Sequence, residues 1–96
     1  MQEIQTFDLY EASYYLSRNC QIVTVEAVDV DGKVNCRLTI SGVAIHTLQA
    51  AYFSGEAQIK LFDFRRTYAQ LHKLVGDAKR KYKLQMKHQR VAGGPL

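Results

Sequence analysis

From Leu61 onward, apolar residues recur at spacings of three and four, through Phe64, Tyr68, Leu71, Val75, Ala78 and Tyr82. That spacing predicts a long amphipathic helix from Leu61 to about Arg90. With Leu61 at heptad position a, Arg66, Lys73, Arg80 and Lys87 all fall at f, opposite the apolar seam. The predicted helix therefore carries a burial surface and a basic surface back to back. Its weak point is Gly76-Asp77, because Gly costs roughly 1 kcal/mol relative to Ala inside a helix and Asp77 has the chemistry to cap a separate one. Continuity through Gly76 is the preferred reading.

A different period marks the middle of the chain. The alternating run Ile22–Val30 and the run Lys33–Ile40 are joined by Asp31-Gly32, a pair suited to a type I′ turn, and this predicts a β-hairpin. A two-residue turn sets Val25 opposite Leu38, Val23 opposite Ile40 and Ala27 opposite Cys36 on one face. The other face then pairs Glu26 with Arg37 and Thr24 with Thr39. The apolar set lands on one side under the register that the turn imposes, so pattern and turn chemistry agree. Cys36 becomes a core residue.

Helical spacing returns on either side of the hairpin. Asp8 is the expected N-cap of a first helix reaching Arg18, with Glu11 as capping-box partner, Leu9, Ala12 and Leu16 inward and Tyr15 at the edge of that stripe. Tyr10 and Tyr14 lie on a flanking face, covering the rim of the domain in preference to stacking on a ligand. Asn19 suits the left-handed residue that closes such a helix. Ser41-Gly42 offers a cap for a second helix, Val43 to Phe53, which Ser54-Gly55 stops, with Ile45, Leu48 and Tyr52 inward. Residues 1–5 read as a loose lead-in, and Glu56–Lys60 as a linker in preference to a third short strand. The expected architecture is α+β, in the order α-β-β-α-(β)-α, with an antiparallel hairpin packed against helices and a long basic C-terminal helix. Residues 1–75 form the domain, 76–90 a basic helical extension and 91–96 a disordered tail.

Thr6-Phe-Asp-Leu-Tyr-Glu-Ala12 at the first helix, the hairpin, Tyr52-Phe-Ser-Gly-Glu-Ala-Gln-Ile59, Phe64 and Leu71-His-Lys-Leu74 together resemble a family of small bacterial and phage proteins catalogued as domain of unknown function 5659. The resemblance spans residues 6–75. Asp-Leu-Tyr and the aromatic-Ser-Gly-Glu-Ala segment are its most specific pieces, and they look like framework residues: caps, a helix stop and core aromatics. The chain departs from the pattern at Asn19, where Gly is usual, and at His72, where Leu-Lys is more usual. The resemblance implies a bacterial or phage setting and the same fold, and it brings no catalytic residues.

Charge sharpens the picture more than composition does. Residues 1–59 hold three Lys/Arg against seven Asp/Glu, whereas residues 60–96 hold ten against two. Such asymmetry points to a polyanion partner, nucleic acid or an acidic protein surface, or to self-association. Arg66, Lys73, Lys79, Arg80, Lys81, Lys83, Lys87 and Arg90 are the candidate phosphate contacts, spaced along the f positions by about 10 Å. Ala78 and Tyr82, beyond the family-like core, are the candidate anchors of a partner interface, including a homodimer.

The remaining chemistry is sparse. His46, His72 and His88 stand apart from one another and from the cysteines, so no metal-ligand spacing occurs and no metal or cofactor is expected. No nucleophile elbow, phosphate-binding loop or dinucleotide fingerprint is present, and a small-molecule substrate is not expected either. No run of about 20 apolar residues suits a membrane span, and acidic Glu3 and Asp8 do not suit a secretory signal. Cys20 and Cys36 are separated by roughly 20 Å along the expected sheet, which makes them free thiols. The sequence thus reads as a cytoplasmic, non-catalytic binding module.

Overall fold

A computed structural model describes the backbone of residues 2–92 and the side chains of residues 2–87. Its elements, in order, are β1 (Glu3–Thr6), α1 (Leu9–Ser17), β2 (Gln21–Val30), β3 (Lys33–Ser41), α2 (Ile45–Ser54) and α3 (Leu61–Ala92). The class is α+β as expected, but the order is β-α-β-β-α-α. The stretch expected as a lead-in supplies β1, and the third strand lies there; Glu56–Lys60 is a linker. β1 pairs antiparallel with β3, Ile4 opposite Ile40 and Thr6 opposite Leu38, so the sheet order is β1-β3-β2 with β3 central. Ile4 and Thr6 are buried while Glu3 and Gln5 are exposed. A four-residue strand with one apolar side chain has too little periodicity to announce itself; a distant partner strand defines it.

The hairpin turn has the geometry its residues demand. Asp31 (φ 52°) and Gly32 (φ 81°) are both left-handed, as a type I′ turn requires, and the Asp29 carboxylate accepts the Gly32 N–H at 3.0 Å. The predicted register holds from Val30–Lys33 down to Thr24–Thr39, including Val25 opposite Leu38, Ala27 opposite Cys36 and the Glu26–Arg37 ion pair. It then slips. Ile22, not Val23, faces Ile40, and Val23 is the extra residue of a β-bulge, 48% exposed. The slip brings the larger side chain of Ile22 against the core and bends the end of edge strand β2, a common way of blunting an edge.

α1 is buried on more sides than its stripe predicts. It touches α2, α3 and all three strands. Tyr15 is therefore fully buried and Tyr14 nearly so, while Leu9 and Leu16 only flank the core. Asp8 caps the helix by accepting the Tyr10 N–H at 2.8 Å. The capping-box half of the expectation fails: Thr6 Oγ1 accepts the Asp8 N–H at 3.0 Å, and Glu11 turns inward instead. Its two carboxylate oxygens accept from the Thr6 hydroxyl (2.7 Å) and the Tyr15 hydroxyl (2.5 Å). Asn19, at φ 67°, closes the helix end as expected.

At the end of β3, Ser41 belongs to the strand and Gly42 packs against Cys20, so neither caps α2. That helix starts at Ile45 behind Ala44, which makes no side-chain cap, and ends at left-handed Gly55. α3 runs unbroken through Gly76 and reaches Ala92, two residues into the stretch expected as a tail; residues 93–96 lie outside the described residues. Leu71 and Val75 bury against the core. The α1–α3 crossing is made at small polar residues, where the Thr67 hydroxyl donates to the Asp63 carbonyl at 3.0 Å and lies 3.3 Å from the Ser13 carbonyl.

Candidate nucleic-acid interface

The hairpin is long enough to lie beneath the second half of α3, and this decides which of its faces are free. Ala78 is partly buried against the core. Leu74, Ala78 and Tyr82 wall an open groove of about 610 Å³ whose opposite side is Thr24–Ala27 of β2. Further out, Tyr82 and Met86 face Gly32 and Val34 of the hairpin tip across an open depression of about 510 Å³. The segment after Gly76 is thus not an extension clear of the domain: the seam continues over the distal hairpin, and Ala78 is not the bare apolar residue that sequence spacing implied.

With the seam turned inward, the f positions face water. Arg66, Lys73, Arg80 and Lys87 are all exposed. Two of the four are partly compensated within the helix, since Arg66 lies 3.7 Å from Asp63 and Arg80 pairs with Asp77. Exposed pairs of this kind contribute little stability, typically below about 1 kcal/mol, and leave the guanidinium groups accessible. The f positions keep their seven-residue spacing along the continuous helix, and the other cations gather beside them. Lys73, Lys79, Arg80 and Lys83 gather with His72 around Gly76, lining a depression of about 440 Å³. Lys81 leans toward the β2 groove, and Lys87 reaches the hairpin tip beside Asp29. Arg66 stands a turn and more toward the helix start, and the side chain of Arg90 lies outside the described residues.

Sequence spacing missed His72 and Gly76 as members of this cluster. The signal was present: the four helical neighbours of Gly76 at three and four residues' distance are His72, Lys73, Lys79 and Arg80. A seam-first reading treats Gly76 as a flaw in the helix and does not ask what surrounds it.

Most aromatic residues of α1 and α3 are committed to packing, with Phe62, 75% exposed, the exception. Tyr10, Phe64 and Tyr68 stack on one another with centroids 5.5–5.8 Å apart, and Tyr68 leans on His72 at 6.1 Å. This ladder covers the rim between the two helices, in keeping with the covering role expected for Tyr10. Burial, followed by the bond to Glu11, pushes the Tyr15 hydroxyl far above its ordinary pKa. Tyr52 is raised by burial and by its 3.1 Å hydrogen bond to Asp8. Cys20 and Cys36 are buried free thiols raised by desolvation, with nearby Lys79 pulling Cys36 partly back. Each of these groups is held in its neutral form by packing, so none is poised to exchange protons near neutrality. Among the described residues no group of three or more His, Cys, Asp or Glu converges as metal ligands, and no helix is long and apolar enough to cross a membrane.

The described residues form a small α+β domain, a three-stranded antiparallel sheet carrying a long helix. No protein-family model, curated protein or solved structure matches the chain. The resemblance to domain of unknown function 5659 is neither strengthened nor weakened by that result.

Proposed function

We propose that this chain is a small non-catalytic binding module that contacts nucleic acid, or another polyanion, through the outer face of α3. The observation that carries the reading is the orientation of that helix: Leu71, Val75 and Ala78 pack on the core, which leaves Lys73, Arg80 and Lys83 exposed on the outer face with half-buried Lys79 beside them. Cations so placed neutralise phosphates and position the protein without reading bases. The module belongs in a reducing compartment, the cytoplasm, where Cys20 and Cys36 remain thiols.

A second reading, a partner-binding adaptor, draws support from the groove that Ala78 and Tyr82 wall beside edge strand β2, where an extended segment of a partner or a second copy could add to the sheet. Two measurements separate the two. Fluorescence anisotropy with a labelled DNA duplex is expected to show binding that weakens about a hundredfold between about 50 and about 300 mM salt, as neutralising roughly three phosphates requires. Arg80→Glu and Lys87→Glu should weaken it further. Affinity unchanged over that salt range would refute the polyanion reading. A mass by light scattering that rises with concentration, and falls when Ala78 and Tyr82 are made acidic, would favour the adaptor.

A further inference from the structure

Gly76 sits in the interior of a continuous helix, and nothing in the packing asks for a glycine there. A Cβ built on it meets no atom within 4 Å, and its backbone is not among the left-handed glycines, which are Gly32 and Gly55. Glycine is the poorest helix former after proline. A side chain at this position would be tolerated by the fold and would stabilise it. A side chain here would point into the shallow depression on the outer face of α3 that Gly76 lines together with His72, Lys73, Lys79, Arg80 and Lys83.

We infer that this depression is the seat of a backbone phosphate of a duplex nucleic acid, neutralised by Lys73, Lys79 and Lys83. The inference rests on the polyanion reading above and locates its central contact. None of the three lysines has a carboxylate within ion-pair distance among the described residues. The nearest acid in sequence, Asp77, is engaged by Arg80 and turns toward the β2 groove. The absent side chain lets a phosphate descend toward the helix axis, where lysines one turn either side and two turns on can reach it together. The rim holds no Trp, Tyr or Phe ring among its lining residues. The Tyr68–Phe64–Tyr10 stack leads away from His72 and lies outside the depression, so the seat itself offers charge and not a stacking platform, which suits the backbone of a duplex whose base faces are already covered. A second copy meeting this patch with its own is disfavoured because it would set like charge on like charge.

The test uses the full chain and a labelled DNA duplex of about 20 base pairs, which spans about two helical turns. Gly76→Ala should raise the thermal midpoint by about 4–8 °C and weaken duplex binding about threefold. Gly76→Leu should weaken it about tenfold and reduce the salt slope by about one. Inorganic phosphate, at ionic strength matched with chloride, should fail to displace the duplex. Undiminished affinity and slope in both glycine variants, with wild-type binding intact, would overturn the seat and leave the polyanion reading standing. Displacement by inorganic phosphate at matched ionic strength would overturn the assignment to a duplex backbone. Absence of any binding by the wild-type chain would overturn the polyanion reading, and the seat with it.

Discussion

Of the described glycines, Gly42 alone has a neighbour inside the space a Cβ would take. A Cβ placed there would lie 2.5 Å from the Cys20 sulfur and 3.3 Å from the Cys20 Cβ. Carbon–sulfur contact requires well over 3 Å, so Gly42→Ala forces either the buried thiol or the backbone to move. Neither has much freedom. Cys20 is 7% exposed, and the Gly42 N–H donates to the Gln2 carbonyl at 3.1 Å, where the chain leaves β3. Overpacking of this kind costs about 1–3 kcal/mol, and a shift of Gly42 would also loosen its hydrogen bond to Gln2, so the upper half of that range is expected. Removing the sulfur should relieve most of the clash, because the remaining Cβ–Cβ contact of 3.3 Å needs only a few tenths of an ångström to relax. Urea denaturation of Gly42→Ala, Cys20→Ala and the double variant forms a cycle that isolates this contact. The double variant should be more stable than the sum of the two single losses predicts, by about 1–2 kcal/mol. Additive losses, or a Gly42→Ala variant as stable as the wild type, would show that the two residues do not meet.

The bulge makes a sharp test of register: Val23→Asp should cost less than about 0.5 kcal/mol, as an exposed substitution does, whereas Ile22→Asp should cost several kcal/mol by burying a charge, and equal costs in thermal melts would reject the slip. A second expectation concerns alkaline pH. Cys20, Cys36, Tyr15 and Tyr52 all have pKa values raised by burial. Above their unfolded pKa values the unfolded chain has lost protons that the folded chain retains, so their stabilising contribution is full below pH about 8.5 and declines above it, more steeply past about 10. Urea melts across that range should show the decline, and Tyr15→Phe, though less stable at neutral pH because Glu11 loses a donor, should show a flatter alkaline limb; a limb unchanged by that substitution would contradict the assignment.

Much of the molecule was legible locally. The hairpin was readable because its turn and its alternating pattern are independent signals held within a span of about 20 residues. The left-handed positions at Asn19, Asp31, Gly32 and Gly55 were fixed by residue chemistry. α3 was readable because its seam repeats over many turns, which outweighs the propensity lost at Gly76. The clustering of cations was written in the same spacing.

Tertiary structure decided what periodicity does not encode. β1 exists because β3 offers it an edge, and nothing in Glu3–Thr6 alone requires a strand. The bulge at Val23 follows from which side chain the closed core can admit. Tyr14 and Tyr15 are buried because α1 is enclosed by two helices and the sheet. Above all, the sequence determined that one helix carries a seam and a basic face, while the fold determined where each points. Because the hairpin extends beneath Ala78 and Tyr82, the seam faces it across an open groove, and Gly76 with its neighbouring cations lies on the outer side as the candidate site. The physical reason is that burial is non-directional and goes to whatever apolar surface lies within reach, and that surface is set by segments far apart in the chain.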